Sequence, residues 1–337
     1  MNDETRTETI PALAKRRKFD FWDLLQKVFP FVGLLVIMII FTVAVKDGKM
    51  WSVYSIKTVF SIAIPYCIGG AGMVFVASQG STDMSQGSLL ALSGTIGAMV
   101  AATAGNWAMV PVSMGVGCLI GIFNGTMLAR FKVPSVMVTL AMLIILRAFV
   151  TLITNGKDIR IAPALAGTLD STSVKVGILI AVILVMGYLF EFTKCGFFSR
   201  CIGENQTVGQ FSGISVKTYK IIAFAFSGLM AGLCGALNVA KAGGASPQLG
   251  NFFELEVMTA IFVGGIPVEG GATSKFYKVV VGAFMIAFLK QGLSLSGVNS
   301  STQELIQGLL LLCVVFFGLF VKGQFLRRQR LIAATES

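Results

Sequence analysis

The residues that could do chemistry in this 337-residue chain are a few ionisable side chains placed inside long apolar stretches. They are Asp83, Arg147, Glu254, Glu256 and Lys290. Charge at membrane depth is costly, and it often marks an ion or solute pathway. Each of these residues lies near the end of an apolar stretch or at a break in one, where water has access. So sparse a set of charges favours transport of a neutral, hydroxylated solute. A proton-coupled transporter would instead need a relay of carboxylates.

Catalytic and metal-binding residue types are scarce. The chain has no histidine, which removes the commonest metal ligand and the commonest general base. Its six cysteines are scattered through apolar stretches and one inner loop, a pattern that predicts neither a disulfide nor a metal site. Gly270–Lys275 resembles a phosphate-binding loop only superficially, because its spacing is wrong. We predict no catalytic residue, no metal site and no cofactor in this chain.

The composition predicts the fold class. Hydrophobic residues make up 55% of the chain and charged residues only 13%, well outside the usual composition of soluble domains. Stretches of about 20 apolar residues are long enough to cross a bilayer as helices, and strand-period alternation is absent. We therefore expect an all-α polytopic membrane protein. Ten transmembrane helices are predicted, at residues 28–45, 53–77, 85–104, 108–129, 134–155, 175–192, 219–241, 254–268, 279–295 and 304–321.

The net charge of +11 reports topology rather than nucleic-acid binding. Lys and Arg concentrate in every second connecting segment, as the positive-inside rule requires when both termini are cytoplasmic. We expect a multi-pass membrane protein with both termini in the cytoplasm. Its predicted parts are a cytoplasmic tail (1–27), a transmembrane domain (28–321) and a second cytoplasmic tail (322–337). Residues 19–27 suit an interfacial helix or a plain lead-in to the first span, and both interpretations stay open.

Two polar breaks suggest an internal repeat. They cover residues 79–88 and 243–251, and each leads through an acid into the next apolar run. Residues 83–94 can be laid over 254–265, and Asn124-Gly125 over Gln291-Gly292. Because five spans separate equivalent positions, the predicted halves, 53–155 and 219–321, are inverted, as in many transporters. The breaks would then border a translocation path; the alternative is that they are ordinary surface loops.

The predicted substrate path uses polar and aromatic side chains at the breaks or one span away. Acids at the two breaks would stabilise them, amides would border the cavity, and an aromatic ring would face a sugar. The alternatives are interhelical hydrogen-bond partners for the polar residues and packing for the aromatic one. The residues are Asp83, Ser85, Asn124, Thr139, Phe252, Glu254 and Gln291.

A polar, glycine-punctuated segment, residues 203–217, lies in the longest inner loop, 193–218. Asn205 is placed to cap a short helix, and Gly213 is placed to end it. Val208, Phe211 and Ser212 share one face of that helix. A short cytoplasmic helix with an apolar ridge is shaped to insert into a groove on a partner protein.

Four stretches match the motifs of one family in the same order along the chain. The first, Gly80–Ser88, is similar to Gly-x-x-Asp-Leu-Ser-Val-Gly-Ser. The others match an Asn-Gly…Val-Pro…Val-Thr-Leu block, a Gly-Gly-Asn…Ser-Gly-Ile loop and a Glu-Leu-Asp…Gly-Gly block. On these grounds residues 50–320 resemble the permease subunits of bacterial ribose-type ABC sugar importers, in the branched-chain amino acid and sugar permease superfamily. The remaining matching residues are Asn124-Gly125, 132–134, 138–140, 202–205, 211–214, 254–265 and Gly270-Gly271.

The resemblance implies a multi-pass transport subunit of the bacterial cytoplasmic (inner) membrane, with its permease domain at 28–321, that works by alternating access. It implies a cytoplasmic ABC ATPase with two nucleotide-binding domains that holds the ATP and Mg, a periplasmic or lipid-anchored sugar-binding protein, and a second permease in a homodimer or heterodimer. The cargo would be a ribose-like pentose, a hexose or a related furanose. The loop at 193–218 would be the coupling segment that seats in the ATPase. Its coupling residues would be Asn205, Val208, Phe211, Ser212, Gly213 and Ile214.

The chain also departs from the family pattern. Thr207-Val208 replaces a small Ala-Ala pair, Gln86 replaces a valine, and Gln291 replaces the usual Asn. Changes near the predicted path leave the cargo open, with nucleosides or a signalling furanose as alternatives to a pentose or hexose. An ion-coupled secondary transporter and a membrane enzyme are the alternatives from other classes.

Overall fold

The computed structural model describes residues 21–335. Within that range the chain forms thirteen α-helices, two short 3-10 helices (Lys46–Trp51 and Asn106–Ala108) and two two-residue strands. The all-α polytopic class is confirmed. The helices are α1 (Phe21–Ala44), α2 (Val53–Ala77), α3 (Gln86–Ala104), α4 (Met109–Phe131), α5 (Ser135–Thr154), α6 (Pro163–Asp170), α7 (Thr172–Phe192), α8 (Lys194–Glu204), α9 (Gln206–Phe211), α10 (Val216–Ala242), α11 (Phe253–Val263), α12 (Phe276–Leu295) and α13 (Ser300–Thr335).

The long helices coincide with the predicted spans. Helices α2, α3, α4, α5, α7, α10 and α12 are long and apolar enough to cross a membrane. Helices α1 and α13 carry shorter apolar stretches, Pro30–Ala44 and Ser300–Phe316. Most of the first predicted tail, residues 1–20, lies outside the described residues, while α13 continues to Thr335 through most of the second. Nine of the ten predicted spans therefore correspond to these nine helices.

The tenth prediction, a span at 254–268, is wrong. Helix α11 has only 11 residues, about 16 Å at 1.5 Å per residue, whereas the hydrocarbon core is about 30 Å thick. The helix stops because Gly265 takes a left-handed φ of 90° and Pro267 disfavours the helical conformation at the residue before it. Lys278 donates to the carbonyl oxygens of Gly265 and Thr273, each at 2.9 Å, and so satisfies groups in the loop that follows.

Small residues bring α4 and α10 into close contact. A Cβ added to Gly117 would lie 2.2 Å from the carbonyl oxygen of Gly228, and one added to Gly232 would lie 2.2 Å from that of Ser113. Gly121 meets the backbone of α10 in the same way. Lipid acyl chains are as apolar as the helix side chains, so there is no hydrophobic driving force between helices in a membrane. They associate instead through close packing at seams of small residues such as this one. This seam is the central contact of the bundle.

The helices before and after the inner loop have corresponding neighbours. Helix α3 packs on α4, α5 and α10, while α11 packs on α12, α13 and α2. Helix α4 packs on α10, and α12 packs on α2. This is the packing expected if α2–α5 and α10–α13 are equivalent sets of elements.

The connecting segments gather at two ends of the bundle. At one end, the α2–α3 loop, the α8–α9 segment and the α11–α12 loop contact one another. Elsewhere, strand β1 (Ile159–Arg160) pairs antiparallel with β2 (Gly244–Ala245), joining two segments that the charge pattern assigns to the outer side. This grouping agrees with the prediction that successive connecting segments alternate between the inner and the outer side. Which end faces the cytoplasm stays a prediction.

Candidate functional site

The short helix α9 has the cap and the stop that its sequence predicts. The side-chain oxygen of Asn205 accepts hydrogen bonds from the backbone N–H groups of Thr207 and Val208, at 3.0 and 3.1 Å. Gly213 has a φ of 80°, which suits glycine and ends the helix. The backbone N–H of Ile214 then bonds to the Gly209 carbonyl at 3.0 Å and folds the chain back toward α10. Local bonds therefore fix the shape of this segment.

Helix α9 turns an apolar ridge to the outside. Phe211 is 89% exposed, more than any other large apolar side chain in the described residues, and Val208 is 59% exposed. Ser212 and Gly213 beside them are exposed as well, whereas Gly209 is buried. A fixed helix that presents an uncovered Phe–Val ridge is suited to insertion into an apolar groove.

Helix α8 joins this segment to the α2–α3 loop. Gln79 donates from its side-chain amide to Ser199 Oγ at 3.0 Å and to the carbonyl oxygen of Tyr219 at 2.9 Å. A Cβ added to Gly203 would lie 2.0 Å from the carbonyl oxygen of Ser78, so α8 rests directly on the end of α2. Helix α8 is therefore in direct contact with the first polar break.

The same helix is also joined to the α11–α12 loop. Glu204 accepts a hydrogen bond from the backbone N–H of Ala272 at 2.7 Å. Glu191, at the end of α7, accepts from Arg200 at 2.9 Å, from Lys275 at 3.3 Å and from the backbone N–H of Phe276 at 2.8 Å. One carboxylate thus connects the end of α7, helix α8 and the start of α12.

Three of the predicted path residues lie together in one buried network. One carboxylate oxygen of Asp83 accepts from the backbone N–H and the hydroxyl of Ser85, at 3.0 and 2.6 Å. The other accepts from Ser227 Oγ at 2.7 Å. Asn124 donates to Ser85 Oγ at 3.0 Å, and Gln86 donates to Ser227 Oγ at 3.3 Å. The network joins α3, α4 and α10 around the first break.

The other predicted path residues are not in this network. Thr139 donates to the Ser135 carbonyl one turn earlier on α5, at 2.9 Å. Gln291 is buried and donates to Ser55 Oγ at 3.1 Å, at the start of α2. Phe252 is 56% exposed and precedes α11 with a left-handed φ of 61°. The role of each residue in a path stays a prediction.

Glu254 lies against the start of α3. A Cβ added to Gly87 would come 2.1 Å from Glu254 Oε2, so the close approach requires glycine there. That oxygen is buried without a hydrogen-bond partner among the described residues. The two acids that the sequence alignment equates therefore have different surroundings, because Asp83 is fully bonded and Glu254 is not.

The structure supplies partners for the two cations whose pairing the sequence left open. Arg147 donates to the carbonyl oxygens of Pro247 and Leu249, at 2.9 and 2.7 Å, and so holds the second break. Lys290 forms an ion pair with Glu256 and donates to the Tyr66 hydroxyl at 2.9 Å. Tyr66 in turn donates to Glu256 at 2.8 Å.

Sequence reasoning missed three members of these clusters: Ser227, Gln86 as a network donor, and Tyr66. Ser227 lies on α10, 144 positions from Asp83 along the chain. Tyr66 lies in the apolar middle of α2, where a tyrosine has no distinguishing pattern around it. The one usable signal was a polar side chain within a span, which predicts a hydrogen-bond partner but does not name it.

Comparison with known proteins gives a family and a set of relatives. The sequence model of the family described as "branched-chain amino acid transport system / permease component" matches residues 55–315. The chain is 28% identical to the ribose import permease of Escherichia coli K12, over 91% of this chain and 98% of the relative. It is 29% identical to the ribose import permease of Haemophilus influenzae, over 85% and 90%, and 26% identical to the xylose transport system permease of E. coli K12, over 86% and 91%. No solved structure gives a significant match.

Proposed function

The chain belongs to the branched-chain amino acid transport permease family, and we propose that it is the membrane-spanning subunit of an ATP-driven ABC importer for a sugar. Relatives named for ribose and xylose import, aligned over most of both chains, support the sugar as cargo. A ribose-like pentose fits the first relatives best; a hexose, a nucleoside or a related furanose presents similar hydroxyl groups. The subunit itself carries solute and makes no covalent bond.

One observation carries the mechanism: α9 presents the Phe211–Val208 ridge outward while α8 is bonded to both the α2–α3 loop and the α11–α12 loop. In this proposal the ridge seats in a groove of a cytoplasmic ATPase with two nucleotide-binding domains, where ATP and Mg are bound. When the ATPase closes, α9 and α8 move as one body. Gln79 transmits the displacement to the α2–α3 loop, and Glu204 and Glu191 transmit it to the start of α12.

The transport path would run beside the two breaks, between the inverted halves 53–155 and 219–321. The corresponding neighbours of α3 and α11 support that division. Asp83, Ser85 and Asn124 would hold the first break, and Glu254 with Arg147 the second. The ATPase can shift the equilibrium between outward- and inward-facing states only by its difference in binding free energy for the two.

The remaining parts of the proposed assembly lie outside this chain. A second permease, identical or homologous, would complete the path, and an extracytoplasmic binding protein, periplasmic or lipid-anchored, would deliver the sugar. The subunit would lie in the bacterial inner membrane with both termini in the cytoplasm. Family membership supports an ATPase and a binding protein in general.

The test is co-purification from gently solubilised native membranes, with the partners identified by mass spectrometry. The wild-type chain should bring down an ABC ATPase, and Phe211→Asp should lose it, because a charge on the ridge opposes burial in an apolar groove. Gln210→Asp is the matched control: it puts the same charge one position away, on the side of α9 that faces a cavity of this chain. It should keep the ATPase.

Two results would overturn the proposal. The ATPase could remain bound to Phe211→Asp, which would remove the coupling role from the ridge. Alternatively, the chain could purify without an ATPase and move solute into liposomes without ATP, which would make it a secondary transporter. The degree to which unlabelled xylose and nucleosides inhibit the uptake of labelled ribose then ranks the classes of transported solute.

A further inference from the structure

A cavity of about 680 Å³ opens beside the coupling segment. Its walls come from the α2–α3 loop, the α4–α5 turn, α9 and the first turns of α10. None of the path residues predicted from the sequence lines it. The cavity is therefore distinct from the Phe211–Val208 ridge and from the Asp83 network, while Gln79, Gly80 and Ser81 of the first polar break form part of its wall.

Three lysines converge on this cavity from two elements that are far apart in sequence. Lys132 comes from the α4–α5 turn, and Lys217 and Lys220 come from the first turns of α10. None of the described residues that line the cavity is acidic. Like charges brought together raise one another's free energy, and an anion placed between them removes that repulsion. The charge distribution points to an anionic ligand.

Lys132 occupies a position where lysine is unusual. It ends α4 with a left-handed φ of 54°, the conformation in which glycine or asparagine is normally found. Its backbone N–H still bonds to the Leu128 carbonyl at 3.1 Å, so the turn is formed despite the side chain. Lys220 donates to the Gln206 side chain at 3.0 Å and connects the cavity wall to α9.

Part of the remaining lining is apolar. Leu128, Val133, Val136 and Val216 supply apolar side chains, beside the polar side chains of Gln79, Ser81, Ser135, Gln206 and Gln210. The neighbouring Phe131 is 61% exposed, which extends this apolar surface outward from the α4–α5 turn. A free phosphate ion gains nothing from such a surface, whereas a phospholipid places its headgroup among the lysines and its acyl chain on the valines. Basic pockets between transmembrane helices bind lipid headgroups in this way.

We propose that this cavity binds the phosphate group of an anionic phospholipid, from the leaflet at the coupling-segment end of the bundle. A bound headgroup bridges Lys132 on one side and Lys217 and Lys220 on the other. It thereby braces the start of α10 against the α4–α5 turn, next to Gln206 and Gln210 of α9. The site requires neither the ATPase nor the sugar.

The test is native mass spectrometry of the full purified chain in detergent, titrated with dioleoyl-phosphatidylglycerol or with dioleoyl-phosphatidylcholine. The Lys132→Gln/Lys217→Gln/Lys220→Gln variant is compared with Lys57→Gln/Lys157→Gln/Lys194→Gln, which removes three exposed lysines that do not line the cavity. The wild type should retain one phosphatidylglycerol in preference to phosphatidylcholine. The cavity variant should lose at least about tenfold in apparent affinity, while the control variant matches the wild type.

Thermal melting of all three proteins shows whether each variant is folded, and Lys132→Gln alone replaces the triple variant if that one is not. No preference of the wild type for phosphatidylglycerol would overturn the proposal. So would an equal loss in the two triple variants, because the effect would then be one of net charge. Inorganic phosphate that binds the wild type and is lost in the cavity variant, while phosphatidylglycerol binding is unchanged in that variant, would overturn the lipid as the source.

Discussion

Gln79 donates a hydrogen bond from the α2–α3 loop to Ser199 Oγ in the middle of α8, at 3.0 Å. The same amide group also donates to the carbonyl oxygen of Tyr219 at 2.9 Å. One side chain therefore joins the first polar break to α8 and to the first turn of α10. A single buried amide with both contacts satisfied is a stiff connection, because breaking either bond leaves a polar group unpaired.

Gln79→Ala should uncouple transport from ATP hydrolysis. Sugar uptake by the assembled importer is expected to fall by about tenfold, while ATP hydrolysis and ATPase binding stay within about twofold, because coupling free energies are typically about 1–3 kcal/mol. Gln303→Ala is the control, since the side chain of Gln303 donates to the nearby Val298 carbonyl, before α13, and joins no other helix among the described residues. Uptake and hydrolysis that fall together in Gln79→Ala would show that the residue only stabilises the complex.

Glu191→Gln should destabilise the junction of α7, α8 and α12. The substitution removes the negative charge opposite Arg200, whose side chain is 11% exposed. Leaving this largely buried guanidinium without its counter-ion is expected to lower the free energy of unfolding by about 3 kcal/mol. The measurement is chemical or thermal unfolding of the purified chain in detergent.

The matched variant for this junction is Glu191→Met/Arg200→Met, which removes both charges. It should recover most of the lost stability, because two apolar side chains of similar volume leave no uncompensated charge. A double variant no more stable than Glu191→Gln would contradict this, because the loss of the acceptor for the Phe276 N–H would then outweigh the removal of the unpaired charge.

Lys290→Met should lower the free energy of unfolding more than Tyr66→Phe does. The lysine substitution leaves Glu256 unpaired, with its side chain 18% exposed, and should lower the free energy of unfolding by about 3 kcal/mol. The tyrosine substitution removes one hydrogen-bonding hydroxyl and should cost about 1 kcal/mol. Unfolding in detergent gives both values, and Lys290→Met/Glu256→Met should return close to the wild type. Equal losses in the two single variants would mean that the ion pair adds little.

Local chemistry made α9 predictable. Asn205 and Gly213 lie eight positions apart and act through backbone bonds within that short range, so the sequence contains the whole cause. The failed span at 254–268 has a related explanation. Its apolar residues continue past Val263, but Gly264-Gly265 and Pro267 end the helix. Hydropathy measures how apolar a segment is and takes no account of the glycine φ that stops it.

The polar clusters were only partly predictable. Asp83 and Asn124 were identified from their position in apolar surroundings, but Gln291, the counterpart of Asn124 in the repeat alignment, bonds to Ser55 instead. The rotation of a helix about its own axis decides which neighbour a side chain meets, and that rotation depends on packing along its whole length. A thin sequence repeat specifies equivalent helices and leaves those rotations undetermined.

The Asp83 network offers the sharpest stability comparison. Ser227 Oγ donates to a fully buried carboxylate at 2.7 Å, so Ser227→Ala should lower the free energy of unfolding by about 2 kcal/mol, the range for bonds to charged groups. Ser113→Ala is the matched control, because Ser113 Oγ is equally buried and has no hydrogen-bond partner among the described residues. Removing that hydroxyl should be neutral or stabilising. The two variants delete the same atom from α10 and α4, so unfolding in detergent separates the loss of a bond from the loss of a buried polar atom. Equal destabilisation would mean that packing, and not the charge of Asp83, governs this part of the bundle.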